Sequence, residues 1–284
     1  MARVNEVDRR TLLLGALAGG CLLALSGCAS LPNAPATQSA LAREVVTLPG
    51  SETTGTVQAV VWTPLNPRGV ALLSADGAAR PERYQPLVER LGGMGLAIIA
   101  PYGGTAARGP SAEDITQRGV AELGAAALYA NDRFAGLPVL AVGHGRGSLS
   151  AMALGGALAE EGTFAEPTPR GVIAFSAPAG TERLAGPDAV SALGVPVLLL
   201  AGSNDPLPVE RLLDAGPRDA DAYALVLAGG GRDLVDDAAL VERAWPVVDL
   251  FVQAFLFDIF TAGDVLEDWP ATGEDRFIAR RGSQ

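Results

Sequence analysis

From Glu44 onward, short unbroken apolar runs alternate with stretches whose apolar residues recur every three or four positions. The unbroken runs are residues 57–62, 69–74, 96–101, 138–142, 172–175, 195–200 and 223–227, the last being the final predicted strand. Runs of this length, bounded by Pro, Gly and Asp, read as strands buried on both faces. The periodic stretches predict helices over 83–91, 115–130, 148–160 and a long closing helix over 240–260. Strands separated by helices predict an α/β fold: one domain, with a mostly parallel central sheet flanked by helices. Phe251, Phe255 and Phe260 fall near helical spacing in the closing helix and are expected in the core.

The first 43 residues have a different pattern. Arg9 and Arg10 precede an apolar stretch from Leu12 to Leu25, shorter than the ~20 residues that a bilayer span needs. A basic head and a short apolar core read as an export signal. The core ends at Leu25-Ser26-Gly27-Cys28, which resembles a bacterial lipobox, and Asp8-Arg9-Arg10-Thr11-Leu12-Leu13 resembles a twin-arginine export motif. These resemblances imply a signal peptide over 1–27, a lipid on Cys28, a polar tether over 28–43 and a globular domain over 44–284. They imply an exported lipoprotein, held to the membrane of the bacterial cell envelope through Cys28, with its domain outside the cytoplasm. Removing residues 1–27 from the 284 leaves 257, with Cys28 as the single cysteine and already consumed.

Composition narrows the chemistry. All 21 basic residues are Arg, so no P-loop lysine or Schiff-base lysine exists. One His and two Cys cannot supply a four-ligand Cys/His zinc site, so no metal is expected. A formal charge of −11 argues against a nucleic-acid partner. No cofactor is implied: a dinucleotide reading of Gly143-x-Gly145-x-x-Ser148 lacks the acidic residue expected after the next strand, where Phe175-Ser176-Ala177 stands.

In such sheets ligands bind where strands end and helices begin. One junction stands out: Val142-Gly143-His144-Gly145-Arg146-Gly147-Ser148. This strand, Gly-rich turn and helix resembles the nucleophile elbow of α/β-hydrolases, normally Gly-x-Ser-x-Gly. Asp76-Gly77 after the second run resembles the family's oxyanion loop, with His144 and Arg146 beside the same pocket. Ala201-Gly202-Ser203-Asn204-Asp205 resembles the strand end that carries the catalytic acid, and Gly229-Gly230-Gly231-Arg232-Asp233 the loop that carries the catalytic His. The resemblance runs from about residue 57 to 269 and leans toward the dienelactone-hydrolase and acetylhydrolase-like branch.

Mapped onto that pattern, the triad is degenerate. The nucleophile position holds Gly145, the histidine position falls near Arg232, and only Asp205 is retained. Arg stays protonated and cannot act as a general base. His144, beside the nucleophile position, is expected to have no catalytic duty. Ser148, Ser150 and Ser203 read as capping, packing or turn residues, and Asp76, Asp205, Asp233, Asp236 and Asp237 as solvated loop acids or, less simply, a paired-carboxylate site. The expected function is a non-catalytic binding or scaffolding protein with a small-molecule or protein ligand. The alternative is a weak carboxyl-ester hydrolase using a non-standard nucleophile. Two geometric expectations follow: Gly145 at positive φ, and Arg232 paired with Asp205 as a permanent ion pair.

Overall fold

The computed structural model describes residues 41–50, 55–77, 79–103, 112–157, 168–178, 191–205, 209–217 and 219–282, all within the compact unit Ser39–Gln284. The segment expected as a signal peptide (1–27), Cys28 and nearly all of the expected tether lie outside them. No described helix is long and apolar enough to cross a membrane.

The strands are β1 (Ala42–Leu48), β2 (Val57–Thr63), β3 (Gly69–Ser74), β4 (Leu96–Pro101), β5 (Val139–His144), β6 (Gly171–Phe175), β7 (Val197–Gly202), β8 (Ala222–Leu227) and β9 (Arg276–Arg280). They form one sheet in the order β1-β2-β4-β3-β5-β6-β7-β8-β9. The ladder from β4 through β3, β5, β6 and β7 to β8 is parallel, and β1–β2, β2–β4 and β8–β9 are antiparallel. The chain has an α/β fold.

Side chains alternate between the two faces of each strand. Val70 and Leu72 of β3 enter one core with Leu123 and Ala126 of α2 (Ala112–Arg133), Leu149 and Met152 of α3 (Arg146–Leu154), and Leu212 of α4 (Glu210–Ala215). Ala71 and Leu73 enter the other with Leu87 and Leu91 of α1 (Gln85–Gly93) and Val247 and Phe251 of α5 (Ala238–Phe251). Because both faces are covered, all six residues of β3, β4, β5, β7 and β8 are buried, which explains their unbroken apolar runs. Each large aliphatic side chain buried this way contributes about 1.5–3 kcal/mol relative to exposure.

Three features depart from the sequence reading. Strand β1 starts at Ala42, two residues inside the expected tether, and pairs with β2 along its whole length. After 223–227 comes a further strand, β9, whose Arg276 and Arg280 flank Phe277 stacked on Tyr223 at the far edge. Both edge strands are largely exposed, so neither has the apolar run of a central strand. The closing helix is also not continuous. Helix α5 passes into a π-helical turn at Val252–Leu256, the chain breaks at Asp258 with φ 55°, and α6 (Phe260–Glu267) follows. Phe251 is buried and Phe255 half-buried, but Phe260 is 83 % exposed and not in the core.

Candidate functional site

Strand β5 ends at His144 and α3 begins at Arg146, so Gly145 makes the whole reversal, with φ 55° and ψ −123°. The positive φ expected there is present, in a region that L side chains rarely adopt. Its neighbours are set by close approach. A Cβ on Gly147 would lie 2.6 Å from the Ala75 carbonyl oxygen, and one on Gly143 would lie 2.5 Å from the Ser148 Cα. The glycines let α3 pack directly on the end of β3.

Asp76 follows β3 and turns its carboxylate onto this reversal. Its Oδ1 accepts the Arg146 N–H at 2.9 Å, at the N-terminus of α3. A Cβ on Gly145 would lie 2.5 and 2.8 Å from the two Asp76 carboxylate oxygens. The carboxylate thus fills the space into which any side chain at 145 would project.

His144 lies beneath, fully buried. Its Nε2 is 3.1 Å from the Arg232 carbonyl oxygen and its Nδ1 is 3.0 Å from the Tyr84 hydroxyl. A carbonyl can only accept, so Nε2 carries the proton and Nδ1 accepts from Tyr84. The Tyr84 oxygen in turn accepts the Asp76 N–H at 2.9 Å. This chain, Asp76 N–H to Tyr84 to His144 to the Arg232 carbonyl, joins three loops through groups remote in sequence. Burial holds His144 below its ordinary value of 6.5, and burial pushes Tyr84 up to about 12. The imidazole is neutral with both nitrogens engaged, so it has no free lone pair with which to act as a base.

Arg83 closes the rim. It pairs with Asp236, with Nε at 3.0 Å from Oδ1, and reaches Asp233 at 3.0 Å. Hydrogen bonds from Arg83 hold the Asp236 carboxyl below its usual range.

The loop after β7 and the glycine-rich loop after β8 do converge, but through backbone. The Asn204 N–H donates to Gly230 O at 2.8 Å, and the Gly229 N–H donates to Ser203 Oγ at 3.0 Å. A Cβ on Gly202 would lie 2.7 Å from Gly231 N. The expected Arg232–Asp205 pair does not form: the Arg232 side chain is exposed, and no ion pair joins the two among the described residues. With three glycines before it, the loop brings the Arg232 carbonyl inward and leaves the guanidinium outside. Asp205 instead lines a cavity of about 300 Å³ with Ser203, Arg211 and Arg276.

The remaining sequence candidates take structural places. Gly77 turns the loop after β3 at φ 54°. Ser148 Oγ donates to Phe175 O at 2.9 Å, Ser150 is buried, and Asp237 caps α5 by accepting from the Ala239 and Leu240 N–H groups. The carboxylates are taken up in separate places: Asp76 caps α3, while Asp233 and Asp236 converge on Arg83. Among the described residues no three His, Cys, Asp or Glu side chains converge in a way that could hold a metal ion.

Two residues escaped the sequence reading. Tyr84 lies in the stretch 83–91 expected to be helical, and nothing local marks its hydroxyl as a partner of His144. Ser176, just after β6, has φ 48°, is 1 % exposed, and its Oγ has no hydrogen-bond partner among the described residues. A non-Gly residue at positive φ costs about 1–3 kcal/mol, and this strained serine lies beside the elbow. The chain matches no protein-family model and no curated protein.

Proposed function

We propose that this protein is an α/β-hydrolase-like lipoprotein, exported and anchored through Cys28, whose catalytic apparatus has become structural and whose role is binding or scaffolding at the cell envelope. The observation that carries this reading is the Asp76 carboxylate lying over Gly145 and accepting the Arg146 N–H. In an elbow of this kind the residue after the nucleophile supplies an oxyanion-hole donor. Here that donor is taken by an internal anion, and the nucleophile's place is filled by the same group. A substrate carbonyl would have to displace a carboxylate to gain a single hydrogen bond. His144, the one imidazole in the chain, is already committed to Tyr84 and Arg232.

A weak carboxyl-ester hydrolase with a non-standard nucleophile is the second reading, and Ser176 favours it. Its hydroxyl has no partner among the described residues and its backbone is strained next to the elbow. Against it, the hydroxyl is buried and the chain's one imidazole is already engaged by Tyr84 and Arg232.

Exposure of the purified chain to a fluorophosphonate probe and to short acyl nitrophenyl esters separates the two. The binding reading expects no serine labelling and no turnover above an unrelated protein, and Gly145→Ser, alone or with Asp76→Ala, stays inactive for want of a base. Labelling that disappears in Ser176→Ala establishes the hydrolase instead. Anchoring is tested separately: Cys28→Ala should move the protein out of the membrane fraction, and unchanged fractionation and mass would rule the lipidation out.

A further inference from the structure

At the end of the sheet opposite the elbow, where β7 and β8 begin and β9 ends, a cleft of about 660 Å³ opens between the strand ends, the π-helical turn and α6. Its volume is that of a small-molecule site. One wall is aromatic. Tyr223 is 1 % exposed, with its ring packed on Phe255 and Phe277 at centroid distances of 5.8 and 6.1 Å. The Tyr223 residue lines the cleft, and its hydroxyl has no hydrogen-bond partner among the described residues. Burial foremost, with Asp221 and Glu267 nearby, raises its pKa, so it stays an uncharged phenol. A phenol this deeply packed normally finds a partner.

The polar side of the cleft is acidic. Asp219, Asp221, Asp264 and Glu267 face one guanidinium, Arg281, which is bound to Glu267. Asp221 accepts the Gly282 N–H at 3.0 Å, while Asp219 and Asp264 form no ion pair among the described residues. The lip is apolar and held outward. Asp258, at φ 55° and paired with Arg170, ends the π-helical turn and projects Ile259 and Phe260, which are 40 % and 83 % exposed. Aromatic surface beside the Asp219 and Asp264 carboxylates, over the Tyr223 hydroxyl, none of them paired among the described residues, is complementary to a cation with an apolar body.

We propose that this cleft binds a small organic cation of the aryl-alkyl amine class, its ammonium facing Asp219, Asp264 and the Tyr223 oxygen and its apolar part covering Phe260. The site is independent of the elbow and of the function proposed for it. Calorimetric titration of the full chain with phenethylamine, 2-phenylethanol and 3-phenylpropionate tests it. The amine should bind about tenfold or more tighter than the alcohol, and the carboxylate should not bind. Asp219→Asn with Asp264→Asn should abolish that preference while leaving the thermal unfolding profile unchanged, and Phe260→Ser should weaken amine and alcohol alike. The proposal is overturned by equal binding of the three probes, by no amine binding at about 10 mM, or by amine binding that the double variant does not alter. It is equally overturned if Phe260→Ser converts a dimer to a monomer, since the cleft would then be covered by a second copy of the chain.

Discussion

The two ends of the sheet treat their polar groups in opposite ways. Around the elbow, Asp76, Tyr84, His144 and the Arg232 carbonyl satisfy one another, and Arg83 holds Asp233 and Asp236. At the far end, the Tyr223 hydroxyl and the carboxylates of Asp219 and Asp264 face a cleft with no such closure, under an exposed Phe260. A closed network of buried hydrogen bonds is rigid and offers an incoming ligand nothing to complete. The Gly145 end is thus closed by its own hydrogen bonds, while the far end presents polar and apolar groups to a cleft.

If the elbow end is structural, disturbing it should cost stability, and the largest loss is expected from the tightest contact. Gly147→Ala would push a Cβ to 2.6 Å from a backbone carbonyl that cannot rotate away. We expect a loss of about 3 kcal/mol in urea denaturation. An unchanged midpoint would mean that α3 does not rest on β3 as described.

Tyr84→Phe comes next. It removes only a hydroxyl but leaves both the Asp76 N–H and the His144 Nδ1 without partners. About 2 kcal/mol is expected, because stranding buried groups costs more than an average hydrogen bond contributes. A loss below about 0.5 kcal/mol would sever the link drawn between the loops.

A smaller effect is expected from pH. The unfolded imidazole, near 6.5, accepts a proton that the buried His144 resists. The native state therefore binds fewer protons, so stability is full above that value and declines as pH falls below it. The slope is at most about 1.4 kcal/mol per pH unit. Denaturation of the wild type and His144→Asn between about pH 7.5 and pH 5 should show the extra slope in the wild type alone; parallel curves would show that His144 protonates freely in the folded chain. Smallest of all is Phe260→Ser, expected to shift stability by no more than about 0.5 kcal/mol because the side chain is already in solvent. A large destabilisation there would erase the contrast between the two ends.

The legible part of the molecule is the part fixed by local pattern. The unbroken runs of β3 to β8 announce a sheet covered on both faces, because a strand buried on both sides has no polar face to show. The Gly-x-Gly-x-Gly spacing announces a sharp strand-to-helix reversal, and the lack of any side chain at 145 is visible in the sequence itself. Tertiary structure decided what such patterns do not encode. β1 and β9 are strands because of the neighbours they pair with, and their exposed residues obey no burial period. Phe260 fits a helical stripe but lies beyond the break at Asp258, so it faces solvent. Tyr84 meets His144 across 60 residues, and His144 meets Arg232 across 88. In that second contact a glycine-rich loop presents the backbone oxygen instead of the guanidinium. The identity of a residue limits which groups it can offer, but which group arrives at a distant partner is set by the packing of the whole sheet, where the free energy of many buried side chains outweighs the preference of any one loop.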